Sequence, residues 1–370
     1  MQVKEAICIE VEFVRFMTMN VYAELESSRL TSDNFHAVQE VLHGRLWTDG
    51  LPVIPPEPQL VSACLEFAML SPSHLVGIEP VRERAVTAEK LAVNAVMAGC
   101  LPAYFPLVVT AITAMLEPEF CLHGATSSTG GCGILVAING PARLDNLMDG
   151  TFNALGGGGR AAITIGRALR LILYNIFDVR PGEVDRSTLG HPGKISYCLA
   201  EDEEGTNWLP LATERGMPQN ASSVTVMAAG APRQIMNEWT SNPAEILDTY
   251  VAEIKSSMLH YSIWPGNYAV LVPPQLRKHF ESAGWTKEKV RDYVFQHARV
   301  HRSDWESCGK SAVIGSDRNR EHRALGSAED LLVISAGGAA GGFGAVVPPW
   351  LGSTSRAVTL AVGACVDCEI

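Results

Sequence analysis

The sequence predicts an α/β fold of two lobes, with Gly-rich loops after strands facing a shared cleft. Three observations lead there. Hydrophobic residues make up 47% of the 370 residues and charged residues 19%, which supplies a large core and argues against extensive disorder. Four consecutive glycines, Gly156 to Gly159, open an apolar stretch that reads as a helix to about Phe177. Leu331 to Ser335 reads as a buried strand, and a second Gly-rich run containing Gly337 and Gly338 follows it directly. A loop in that position is where open α/β sheets bind ligands.

In chain order, residues 1–45 form an N-terminal extension, residues 46–215 the first lobe and residues 216–370 the second. Ala6 to Phe16 reads as a strand or short helix, and Ser32 to Leu46 as a helix with Asp33 as its cap. Trp47 to Pro56 combines an Asp-Gly turn with prolines that force an extended path, so Asp49 is a candidate for a pocket wall. Pro58 to Leu70 is helical. Thr87 caps a helix over Ala88 to Ala98, and a further helix from about Tyr104 to Leu116 completes a helical hairpin. Gly133 to Asn139, Ile195 to Ala200, Ser223 to Ala229 and Tyr268 to Val272 read as strands. Helices are expected over Pro243 to Leu259, Gln275 to Ala283 and Thr286 to about Ala298, and a polar, basic loop or lid over Val300 to Leu325.

A formal net charge of −11 argues against a general nucleic-acid binder. No stretch of about 18 uncharged apolar residues stands out as membrane-spanning. Glu5, Glu10 and Glu12 are wrong for a secretory signal, so the expected location is cytoplasmic and most of the nine cysteines are expected to be reduced. Zinc-type spacing is absent, which disfavours a metal, and the glycines fit neither a dinucleotide nor a P-loop fingerprint. No cofactor is assigned. The acidic run Glu201 to Glu204 reads as a solvated face, with a divalent-cation site as the less favoured alternative.

Four stretches carry candidate chemistry. Gly157, Gly158 and Gly159 precede a helix start, whose free N–H groups and dipole favour an anion. Arg160, Arg167 and Arg170 fall within about 80° of one helical face, so Arg160 is the expected anion ligand. The loop from Cys121 to Cys132 offers His123 as acid or base, Ser127, Ser128 and Thr129 as hydrogen-bonding groups, and Cys132 as a thiol. Gly190-His191-Pro192-Gly193-Lys194 aims an imidazole and an amine from a rigid loop. Cys132 and Cys198 are candidate nucleophiles where the thiolate is favoured. Cys365-Val366-Asp367-Cys368 is a redox candidate in the tail.

Trp47 to Val53, Glu89 to Cys100, Ile165 to Ala168 and Gly190 to Lys194 together resemble a widespread bacterial family. Its members are often encoded beside small proteins with a Sec/Cys-Gly-Ser-Cys motif. The resemblance covers roughly residues 46–350 and implies no established reaction. It implies that any selenol or dithiol chemistry needs either a small selenocysteine or cysteine partner protein or the Cys365–Cys368 tail, because this chain has no Cys-Gly-Ser-Cys motif of its own. The leading expectation is a lyase- or hydrolase-type enzyme acting on a small anionic metabolite. The glycines and Arg160 would hold the anion, His191 or His123 would move a proton, and Lys194 would stabilise negative charge. A thiol-redox component using Cys365 and Cys368 and a non-catalytic binding subunit are the alternatives. A homodimer is expected.

Overall fold

The computed structural model describes residues 25–31, 34–261, 263–350 and 355–363. The expected element at Ala6 to Phe16, the cap Asp33 and the Cys365–Cys368 pair lie outside the described residues. The first described helix is Phe35–Gly44, and its cap is Asn34, whose side chain accepts from the Ala37 amide.

The fold is mixed α/β. Among the described residues twelve strands run in chain order: β1 (Leu75–Glu79), β2 (Arg84–Thr87), β3 (Gly133–Asn139), β4 (Cys198–Ala200), β5 (Ser223–Ala229), β6 (Arg233–Met236), β7 (Tyr268–Val272), β8 (Arg299–His301), β9 (Glu321–Arg323), β10 (Leu331–Ser335), β11 (Phe343–Val347) and β12 (Val358–Ala361). β1–β2 and β8–β9 are antiparallel pairs; the latter and several 3-10 turns fill the region expected to be a loop or lid. The other eight form two mixed four-stranded sheets, ordered β12-β5-β3-β4 and β10-β7-β11-β6.

The two sheets stack face to face. Strand side chains alternate between faces, and the burial follows that alternation. Leu135 and Ala137 of β3 pack with Leu271 of β7, Leu332 and Ile334 of β10 and Val347 of β11 in a central core. The intervening Ile134, Val136 and Ile138 point the other way, against the helices Ala88–Ala98, Phe105–Leu116 and Arg160–Asn175. On the far side, Tyr268, Val270 and Val272 of β7 pack against Pro243–His260, Pro274–Ser282 and Lys287–His297. The result is four layers, helix on sheet on sheet on helix. Phe105–Leu116 is apolar nearly all round because it lies at the centre of its layer. Among the described residues no single helix is long and apolar enough to cross a membrane.

The chain repeats one pattern in its two halves. β3 and β7 are followed by helices, then by a parallel neighbour (β4, β10), then by an antiparallel neighbour on the other side (β5, β11). The last strand of each half is exchanged. β6 follows β5 yet pairs with β11, and β12 follows β11 yet pairs with β5. The two crossing segments meet antiparallel, with Gly230 N donating to Pro348 O and Trp350 N to Ala228 O. The expected boundary at 215/216 therefore runs through a shared structure, since β5 and β12 lie in the sheet of β3 and β4.

Of the acidic run Glu201 to Glu204 only Glu204 is exposed, and among the described residues no cluster of ligands could hold a metal ion. The run is an ion-pair hub between the sheets. Glu201 is buried against Lys287, Asp202 against Arg277, and Arg143 binds Glu203 and Glu204. Four acids in a row look solvated in sequence, but here the matching cations arrive from helices far along the chain.

Candidate functional site

The crossing of the two exchanged strands leaves a cavity of about 270 Å³. One wall is Thr129, Gly131, Thr188, Gly190 and His191. The other is Gly230, Arg233, Tyr261 and Pro348. Two of the stretches singled out in the sequence, Thr129 to Cys132 and Gly190 to Lys194, thus meet at one place.

Their approach is set by two glycines. Gly131 and Gly190 both have φ of +68°, and a Cβ on Gly131 would stand 2.9 Å from the Gly190 Cα. Neither the left-handed backbone nor the spacing admits a side chain without displacement. Thr188 N donates to Thr129 O and ties the loops together.

His191 is half-buried and extended. Its Nδ1 accepts from the Gly193 amide at 3.2 Å, while Nε2 lies 3.0 Å from the Gly133 amide and 3.2 Å from the Ala229 carbonyl. A proton on Nε2 satisfies Ala229 and lets Nδ1 accept from Gly193. A proton on Nδ1 lets Nε2 accept from Gly133. The Nε2-protonated tautomer therefore has a partner at both nitrogens, whereas a proton on Nδ1 faces the Gly193 amide, itself a donor. Burial, aided by the charge of Lys194, holds the imidazole below its ordinary pKa of 6.5, so the ring is neutral at pH 7.

Behind His191, Lys194 Nζ donates to Asp185 Oδ2 at 2.7 Å and to Ser187 Oγ at 2.6 Å, and Ser187 donates to Asp185. Arg170 stands 3.9 Å from the same carboxylate. Burial works to raise the Asp185 pKa, but the hydrogen bonds from Lys194 and Ser187 outweigh it and hold it below 3.8. Asp49 behaves alike: burial raises it, and the Arg167 guanidinium brings it down. A depressed carboxylate stabilises the fold above its ordinary pKa and loses that contribution as the pH falls through its native value. Urea unfolding is therefore expected to show stability falling below about pH 4. Asp185→Asn is expected to flatten that limb; an unchanged slope would remove Asp185 from the account.

Tyr261 completes the cavity. Its hydroxyl is buried without a hydrogen-bond partner among the described residues. Burial pushes its pKa up to about 12, so it stays a donor. Arg233 holds Glu253 through Nη1 at 3.0 Å.

The remaining predicted residues lie elsewhere. Asp49 is clamped by Arg167, at 2.8 and 3.0 Å, and is not among the residues that line the cavity at the strand crossing. Arg160 is exposed and donates to Gly99 O. The glycine run packs on the chain on either side of it: Asp149 N donates to Gly158 O, and Gly157 lies against Ile163. The three arginines of this helix thus meet a carbonyl and two carboxylates of the protein itself. His123, Ser127 and Ser128 sit on and just after the short helix Leu122–Ser127. Ser127 donates to His123 O, Ser128 accepts from Gly130 N, and among the described residues the buried His123 Nδ1 has no partner. Gly337 N donates to Gly150 O and Gly338 lies against Phe152, so the second glycine run packs on the loop leading to the first.

Cys132 is buried, with its thiol on Ala125 O at 3.2 Å and its pKa pushed up to about 12 by burial. Burial, with Cys100 nearby, raises Cys198 further. Neither is a thiolate at neutral pH, so the structure gives both packing roles rather than nucleophilic ones. Sequence reasoning missed Asp185, Ser187, Arg233 and Tyr261. Gly230-Ala231-Pro232-Arg233 carried a usable signal, because a Gly-Pro punctuation directly after a strand marks a sharp change of course.

Comparison of the chain with protein-family models, with curated proteins and with solved structures returned no match.

Proposed function

We propose that the chain is an enzyme acting on a small carboxylate- or phosphate-bearing metabolite, by proton-transfer chemistry of the lyase or hydrolase kind, in the cavity at the strand crossing. The observation that carries this reading is that a neutral imidazole, an arginine and a buried tyrosine hydroxyl without a partner among the described residues line one cavity of about 270 Å³. Arg233 and the Tyr261 hydroxyl bind the anion, with the Thr129 and Thr188 hydroxyls beside it. His191, neutral at rest, takes a substrate proton at a ring nitrogen, becomes an imidazolium and returns that proton to the product or leaving group. Lys194, fixed by Asp185, adds positive potential behind Gly190 and favours developing negative charge. The ligand lies at the crossing and not between the two glycine runs, where a shared cleft was expected.

The test is a calorimetric binding screen of the purified chain against small carboxylates and phosphates, followed by mass-spectrometric measurement of their consumption. Arg233→Ala and Tyr261→Phe are each expected to weaken binding about ten-fold. His191→Asn is expected to slow turnover about 100-fold with binding retained. Turnover that survives His191→Asn would remove the imidazole from the mechanism. Binding with no consumption of any bound compound would instead favour a non-catalytic binding subunit.

A further inference from the structure

The two large sheets have four edge strands, and one of them is open. β4 and β10 are wholly buried and β12 has no exposed residue, whereas Gln234 and Met236 of β6 are exposed. Among the described residues β6 pairs with β11 alone. Asn237 N donates to Gly342 O, and the register continues with Ile235 opposite Gly344. Backbone direction alternates along an antiparallel ladder. Ile235 therefore turns its N–H and C=O toward β11, while those of Gln234 and Met236 point out from the sheet edge.

The side chains at this edge are apolar or uncharged. Met236 lies directly across from Phe343, and the two are 38% and 52% exposed. They share the face on which Ala345 and Val347 pack in the central core, so the sheet of β3 leaves them uncovered. Trp239, just beyond the strand, is 78% exposed. On the other face Ile235 is buried among the outer helices. No residue of β6 is a lysine or a proline, which commonly guard an open edge. Its one charge, Arg233, is met by Glu253 at 3.0 Å.

We infer that β6 is the contact between two copies of this chain, paired antiparallel about a two-fold axis so that two four-stranded sheets become one. With Ile235 facing Ile235 of the second copy, Gln234 and Met236 stand opposite Met236 and Gln234, and each of these pairs exchanges two hydrogen bonds. The two Met236 side chains then lie diagonally across the axis on one face, each with Phe343 behind it. Charge favours a second copy at this place. Each chain carries −11, and an edge of uncharged side chains lets two like-charged chains meet where repulsion is least. The pairing is independent of the reaction proposed at the strand crossing.

Sedimentation velocity of the purified chain tests it, with amide hydrogen exchange as the second readout. A particle of twice the 39.9 kDa chain mass is expected, with exchange over residues 233–236 that quickens on dilution. Gln234→Pro removes only an outward N–H and leaves the ladder to β11 intact, and Met236→Lys sets two like charges beside the axis. Each is expected to weaken the dimer about ten-fold while keeping the wild-type circular dichroism spectrum. A wild-type monomer at micromolar concentration would overturn the assignment and leave the edge to a different chain. A dimer that either variant keeps at wild-type affinity would also overturn it, because the contact would then lie elsewhere.

Discussion

Replacing Lys287 with methionine is expected to lower the stability of the protein by about 3–5 kcal/mol. Glu201 and Lys287 are each 1% exposed, and they form a direct ion pair. Glu201 sits just beyond β4 and binds four groups. Oε1 accepts from Lys287 and from the Ser335 amide, and Oε2 from Asn139 Nδ2 at 2.6 Å and the Leu211 amide at 2.7 Å. These partners come from β3, β10, the short helix Leu211–Glu214 and the helix Lys287–His297, so one carboxylate ties together both sheets and one outer layer. Methionine fills the space of the lysine stem but leaves the carboxylate buried without a countercharge. The remaining neutral donors do not replace an ammonium in a medium of low polarity. The check is the urea midpoint, with the slope of the transition unchanged. The double variant Glu201→Leu with Lys287→Met is expected to lose less than the two single changes together, because it removes both charges. A loss below about 1 kcal/mol for Lys287→Met alone would mean that water reaches the pair.

Gly140→Ala is the second large effect. Gly140 ends β3 with φ of +79°, and a Cβ there would lie 2.3 Å from Ala221 O and 2.8 Å from the Ser222 Cα. Two costs combine. A left-handed backbone costs a side chain about 1–2 kcal/mol, and overpacking against main chain costs about 1–3 kcal/mol. Main chain yields less readily than a side chain, and the Gly140 amide is also fixed by Glu203 Oε1 at 2.8 Å. Gly44→Ala is the control. Nothing lies within 4 Å of its Cβ position, so thermal melting is expected to separate the two variants clearly. Equal melting temperatures would show that the β3 end relaxes freely.

Much of the local structure was legible in the sequence. The helix after the glycine run was expected from there to about Phe177 and runs over Arg160–Asn175. Ser223–Ala229, Tyr268–Val272 and Leu331–Ser335 are strands at their expected places. These elements are written in residue periodicity and in Gly, Pro and Thr punctuation, which act over a few residues. The loops at Thr129 and at His191 stood out for the same reason, because a polar, glycine-marked stretch beside a buried strand is a local signal.

The sequence by itself determined the α/β class, most of the helices and strands, and two loops that line the candidate site. Only the tertiary structure decided who meets whom. It stacked two sheets into four layers, exchanged the last strand of each half, and so brought Arg233 and Tyr261 opposite His191. It also set Arg160, the expected anion ligand, on the Gly99 carbonyl, made Arg167 the partner of Asp49, and turned the acids at Glu201 and Asp202 from surface charge into buried pairs with Lys287 and Arg277. The physical reason is the same in each case. A charge carries no mark of its partner, because the energy of an ion pair depends on separation in space and on exclusion of water, and neither is a property of neighbouring residues in the chain.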